Sequence, residues 1–208
     1  MNVQQVYAHY KIPLNLQQHM LRVAALSQVL IENWKNEKFD KESIALACLF
    51  HDMANIIKYD FSKTDLFKEE KNEVEYWKMI QEETIKKYGN NIHKATIKIC
   101  HEINLPDKVI QLVENLEWNN AMKAVEQKDF ESAICIYSDM RIGPFGILLL
   151  QDRLINLRTR DKSYDFISTS EAAKQLEKIL QNNISIRVNF INNSDLNCKF
   201  NNLSQILV

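Results

Sequence analysis

The residues best placed to do chemistry close the stretch Ile44–Asp52, IALACLFHD. Ile44, Ala47, Cys48 and His51 recur at i, i+3, i+4 and i+7, the spacing of one helical face. That spacing sets the His51 imidazole in line with an apolar stripe facing a core, and Asp52 carries a carboxylate inward at the end of the same helix. An ionisable pair in apolar surroundings is costly unless compensated, and a bound cation compensates it economically. Two more residues have matching chemistry: His19, on the face of Leu16, Met20 and Val23, and Asp139, near a helix end in YSDMRIGP. Two imidazoles and two carboxylates form a mixed nitrogen and oxygen set that suits one divalent ion: Mn2+, Fe2+, Ni2+, Co2+, Zn2+ or Mg2+. Each residue also has a plainer role. A histidine on an apolar face is more often a hydrogen-bonded core residue, and Asp139 can cap a turn or pair with Arg141.

Positioning four such residues requires helices. With three glycines and three prolines in 208 residues, the chain is too poor in turn formers for a sandwich or barrel. After Pro13, Asn15 is the expected cap of a helix to about Asn36, and Asp40 caps the helix that ends at His51-Asp52. Residues 53–70 lose periodicity and predict a loop with a short helical turn, beside the His-Asp pair. Further helices are expected from about Asn72 to Tyr88 with Gly89 as the stop, over 91–103, and from Pro106-Asp107 through Leu116. Phe130–Met140 and Phe145–Arg160 follow, separated by Gly143-Pro144, and Ser168 or Ser170 caps a helix to about Gln181. Ile184, Ile186, Val188 and Phe190 alternate, which predicts a short extended segment, and Ser194 opens a last short helix. The expected organisation is an all-α domain over residues 1–165, with a C-terminal helix and appendage, residues 166–208, packed on it.

Composition narrows the partners. The chain is 46% apolar and 25% charged, with a net charge of −1 and no basic stripe, so a duplex nucleic-acid partner is not expected. No apolar run approaches membrane-spanning length, and the N-terminus lacks a basic-then-apolar signal pattern. The four cysteines form no CxxC pair; Cys48, Cys100 and Cys135 sit in apolar helical patterns and read as small buried hydrophobes. A reducing cytoplasm fits this usage, and a homodimer is compatible with it.

H-x-x-R-V-A at 19–24, L-F-H-D-M-A-N at 49–55 and Y-S-D-M-R-I at 137–142 resemble the three signatures of the HD-domain metal-dependent phosphohydrolase superfamily. The resemblance covers about residues 10–160. It implies a helical bundle in which His19, His51, Asp52 and Asp139 bind one divalent metal ion. It implies hydrolysis of a phosphate ester of a nucleotide or small metabolite, with Asp52 or Asp139 also orienting the attacking water. Asn55 departs from the nucleotidase branch, where an acidic residue commonly stands three positions after the pair. General-base work then falls to a metal-bound carboxylate, to Asp60 in the loop, or to Glu75. A second metal would need His93 and His101; His101 is expected in the core and His93 exposed at a helix start. Arg22, one turn after His19, and Lys58, in the loop, are the expected phosphate contacts, with Arg141 and Arg153 further candidates. Tyr76 and Trp77 could stack on a base, although a tryptophan at apolar helical spacing is more often core. The small phosphorylated substrate is the expected partner. The alternative is a degenerate HD fold that binds a nucleotide or protein partner without turnover, which Asn55 favours and the four-residue set opposes.

Overall fold

Caps and breakers in the sequence set most helix boundaries in the computed structural model, which describes residues 1–36, 38–62, 72–160 and 166–208. The helix α1 (Val3–His9) opens with a capping box between Asn2 and Gln5. Next comes α2 (Leu14–Glu32), and here the expected cap is corrected: Pro13 takes the N-cap position, with no side-chain bond. Asn15 is already helical, and its Oδ1 accepts the Tyr59 hydroxyl at 2.8 Å. The third helix, α3 (Lys41–Phe50), is capped by Asp40, which accepts the backbone N–H of Ser43. It ends at His51, and Asn55–Lys58 form the expected short turn, of 3-10 type. The remainder of that predicted loop, residues 63–70, lies outside the described residues.

Then follow α4 (Val74–Tyr88), stopped by Gly89 at positive φ, α5 (Ile92–Glu102), capped by Asn91, and α6 (Asp107–Asn115), entered through Pro106. A 3-10 turn at Trp118–Asn120 leads into α7 (Ala121–Gln127), and α8 (Phe130–Arg141) is capped by Asp129. Instead of a helix from Phe145, the chain makes a small hairpin of β1 (Ile142–Gly143) and β2 (Gly146–Ile147), with Ile142 opposite Ile147. Gly146 has φ 152°, and the amide of Asn193 occupies the space a Cβ would take, so only glycine fits. The next helix, α9 (Leu150–Arg160), therefore starts after the hairpin. In α10 (Phe166–Asn183) Ser168 and Ser170 are both interior, so neither is the cap.

The segment after α10 corrects the extended reading. Ile184 makes a single bridge to Trp34, and Val188–Phe190 wind into a 3-10 turn. Gln181 sets that shape: it donates to the Ile186 carbonyl at 3.0 Å and accepts the Val188 N–H at 3.0 Å. A side chain thus supplies the bonds a strand partner would otherwise give. Two short helices, α11 (Asn193–Asn197) and α12 (Phe200–Ser204), complete the chain.

The architecture is all-α around α2, which packs on α3 and α8 and carries α11 and α12 on its flank. Val23, Ala24, Ala25 and Leu26 are all fully buried, so the middle of this helix is enclosed on every side. Leu176, Leu180, Val188, Leu196 and Leu203 join the same hydrophobic cluster as the N-terminal helices. Cys48, Cys100 and Cys135 are buried and free, as their apolar setting predicts, while Cys198 is exposed. No described helix is long and apolar enough to cross a membrane.

Candidate metal centre

Three elements carry the four candidate side chains to one place. His19 projects from the first turns of α2, His51 is the C-cap of α3 with Asp52 beside it, and Asp139 lies near the end of α8. The close packing of α2 on α3 and α8 joins these ends. His19 Nε2 is 3.0 Å from Asp139 Oδ1 and 3.6 Å from Asp52 Oδ2. His51 Nε2 is 3.6 Å from Asp139 Oδ1 and 3.7 Å from Asp52 Oδ2. Each carboxylate thus faces both imidazoles, and donor atoms of His19, His51 and Asp139 all lie within 4.8 Å of one another.

His51 is prepared by its own helix. Its Nδ1 is 2.8 Å from the Cys48 carbonyl, and a carbonyl only accepts, so Nδ1 carries the proton. In the neutral ring the lone pair then sits on Nε2, which points at the two carboxylates. That Nε2 is buried and has no hydrogen-bond partner among the described residues, because 3.6–3.7 Å exceeds hydrogen-bond length. A buried nitrogen orphaned between two carboxylates is what a divalent ion would satisfy, and two imidazoles with two carboxylates are apt donors. The residues present fit a metal.

Without one, protons must offset the carboxylates. Burial alone would push the His51 pKa down, but the charges of Asp52 and Asp139 outweigh it and hold it up at about 10. Burial would likewise raise Asp139, yet the hydrogen bond from His19 and the charge of His51 hold it well below the usual carboxylate range.

The turn is braced from several sides. Tyr7 donates to the Leu49 carbonyl at 2.6 Å, and the Ala54 N–H donates to Thr96 Oγ1 on α5 at 3.2 Å. Gln81 of α4 donates to the carbonyls of Ile56, Ile57 and Tyr59, at 2.8, 3.1 and 3.0 Å, fixing the turn after the pair. Asn55 Nδ2 donates to Asp52 Oδ2 at 2.6 Å, and Trp118 Nε1 donates to Asp139 Oδ2 at 2.7 Å.

With this geometry in view, comparison with known families is decisive: the HD domain family model matches residues 16–119, half of the chain. The chain belongs to the HD-domain family. It is a family of metal-dependent hydrolases whose domains bind divalent ions. The match includes His19, His51 and Asp52 and stops before Asp139, which packing on α2 brings to the same place. Neither the curated proteins nor the solved structures contain a match to the chain.

Around the HD centre the other sequence candidates separate. Arg22 is half-buried on α2, 3.4 Å from Gln18 Oε1, and burial lowers its pKa. Lys58 is exposed at the end of the 3-10 turn. Arg141 is corrected from a phosphate candidate to a buried structural cation: it donates to the Leu148 carbonyl at 2.5 Å, the Tyr137 hydroxyl at 2.7 Å and the Val188 carbonyl at 3.2 Å. Arg153 is buried against the Trp118 ring, its guanidinium 5.8 Å from the centroid.

Asp60 turns onto the Ser62 hydroxyl at 2.6 Å and Glu75 onto Lys78 at 2.8 Å, and neither joins the His-Asp cluster. The two spare histidines exchange roles: His101 is exposed, whereas His93 is half-buried with Nδ1 3.6 Å from Glu117 Oε1. His101 lies on the solvent side of α5, where Ala95, Ile99 and Cys100 take the buried face. Tyr76 is exposed and packs edge-on against Trp77, with ring centroids 5.0 Å apart. Sequence reasoning missed Trp118; it lies between helices, where no periodicity marks it. It missed the positional effect of Asn55 too, although the i, i+3 relation to Asp52 was the available signal.

Proposed function

We propose that this HD-domain chain is a phosphohydrolase that cleaves a phosphate ester of a nucleotide or small metabolite, with His19, His51, Asp52 and Asp139 holding one divalent ion. The orphaned Nε2 of His51, buried between two carboxylates, carries the reading. When bound, the ion would act as a Lewis acid toward the phosphoryl group and lower the pKa of water. The chain does the rest. The Cys48 carbonyl holds His51 in the tautomer that keeps Nε2 free, and His19 orients the Asp139 carboxylate through Oδ1.

Proton acceptance falls to Asp52 rather than Asp139. Both oxygens of Asp139 are engaged, one by the His19 imidazole and one by the Trp118 indole, and its carboxylate is held well below the usual range. Asp52 has 21% of its side chain exposed and can take the proton of an attacking water at its carboxylate. Arg22, half-buried and one turn after His19, would hold a phosphate oxygen, and exposed Lys58, in the turn after the His-Asp pair, would add a point charge.

The test is phosphate release from a library of nucleotides and phosphorylated metabolites with Mn2+, Ni2+ or Mg2+, alongside His51→Ala and Asp52→Ala. Turnover should vanish in both variants while the helical circular-dichroism signal persists; turnover equal to the wild type refutes the reading. A second reading has one observation in its favour: Asn55 occupies Asp52, where an acidic residue could have activated water. On that reading the chain binds metal and nucleotide without turnover, and calorimetry with a metal and a non-hydrolysable nucleotide, together with a silent library, would select it.

A further inference from the structure

Asp139 has two carboxylate oxygens, and the structure gives them different partners. Oδ1 faces His19 Nε2 at 3.0 Å and His51 Nε2 at 3.6 Å. Oδ2 accepts the Trp118 indole N–H at 2.7 Å, a length typical of a charge-assisted bond. Trp118 comes from a separate segment, the 3-10 turn between α6 and α7. That turn is fixed by the Glu117 N–H to the Asn115 carbonyl at 2.8 Å, the Asn120 N–H to the Glu117 carbonyl at 2.9 Å, and the Asn120 side chain to the Asn115 carbonyl at 3.2 Å. Against the indole ring, Arg153 of α9 places its guanidinium 5.8 Å from the centroid, within cation–π range.

An indole N–H only donates, and its ring cannot swivel to serve a different partner as a hydroxyl can. A guanidinium on the ring face draws electron density and sharpens that donation. We propose that Trp118, backed by Arg153, is a positioning residue that fixes Asp139 as a one-oxygen donor, presenting Oδ1 to the centre and withholding Oδ2. The proposal rests on the metal-site reading above and deepens it by naming the class of ion the centre accepts. Calcium favours six to eight oxygens, often with two-oxygen carboxylates, whereas imidazole-rich sites with single carboxylate oxygens suit compact transition ions. With Oδ2 withheld, the centre favours the second class.

The experiment uses the full chain as wild type, Trp118→Phe and Trp118→Gln, each checked for wild-type helical content. Trp118 is only half-buried, so phenylalanine keeps most of the packing and loses the N–H, whereas glutamine restores an N–H at similar reach. Binding of Co2+ is followed by its visible absorption and by tryptophan emission, then repeated in competition with Ca2+. Wild type should bind Co2+ and show quenching. Trp118→Phe should bind Co2+ at least about tenfold more weakly, with a smaller Co2+ over Ca2+ preference, and Trp118→Gln should recover to within about threefold of wild type, the scale expected for residues that orient a ligand. Phenylalanine matching wild type within about twofold overturns the proposal, and so does glutamine failing as badly as phenylalanine, because packing alone would then explain the loss. Absence of Co2+ binding in the wild type overturns the metal-site reading itself, a separate failure.

Discussion

Metal binding at this centre should release a proton, because the metal-free protein stores one on His51. Its pKa stands at about 10, raised against the downward push of burial by Asp52 and Asp139. A pH of 7.5 lies two to three units below that value, so fewer than about one molecule in a hundred offers a neutral Nε2. A cation needs the neutral ring, so the apparent affinity at pH 7.5 lies on the order of a hundredfold or more below its alkaline limit. Affinity should rise about tenfold per pH unit, hence about 100-fold between pH 6.5 and 8.5. Calorimetric titration with Mn2+ in two buffers of different ionisation enthalpy at pH 7.5 should show about one proton released per ion. A measured release near zero, or an affinity flat across that range, would refute this account of how the buried charges are balanced. The stability of the metal-free protein follows the same logic. The raised His51 pKa contributes stability fully present below its ordinary 6.5 and lost as pH rises through about 10. The depressed Asp139 pKa contributes stability present above its ordinary 3.8 and lost on acidification below it.

Replacing Arg22 with glutamine should raise KM for a phosphorylated substrate about tenfold or more while kcat changes little, as expected for loss of a charge-assisted binding contact; steady-state kinetics with the best library substrate checks this. Arg141→Met should destabilise the fold by about 2–4 kcal/mol in urea melts, because it strands the buried Val188 carbonyl and the part-buried Leu148 carbonyl. A loss under about 1 kcal/mol would show that those carbonyls find other partners.

What the sequence made legible was local. The i, i+3, i+4 spacing of Ile44, Ala47, Cys48 and His51 places an imidazole on the buried face of α3, and the structure has it 7% exposed there. The caps at Asp40 and Asn91 and the stop at Gly89 are also local signals, set by one residue's bonds or backbone freedom. Asn15 misled because Tyr59, remote in sequence, claims its side chain. The alternation at 184–190 misled because Gln181 supplies bonds that a strand would have sought elsewhere. Arg141, two residues after Asp139, suggested a pair, yet i and i+2 positions on a helix do not face each other, and the guanidinium turns to Tyr137, one turn back. Nothing in the residues around Trp118 marks it, since its partner Asp139 is reached only through tertiary packing.

The two carboxylates of the centre are therefore built in different ways, and this bears on what residues beyond the family match do. Asp52 is held by Asn55 within its own turn, and that turn is braced by Thr96 of α5 and Gln81 of α4, all inside the family match. Asp139 is held by Trp118, which lies against Arg153 of α9, while two residues on Arg141 ties the end of α8 to the hairpin at Leu148 and to the segment at Val188. Every one of those supports except Trp118 lies after residue 119, where the HD match ends. The C-terminal part of the chain thus braces one half of the centre, and loosening it should displace Asp139 while leaving His51 and Asp52 in place.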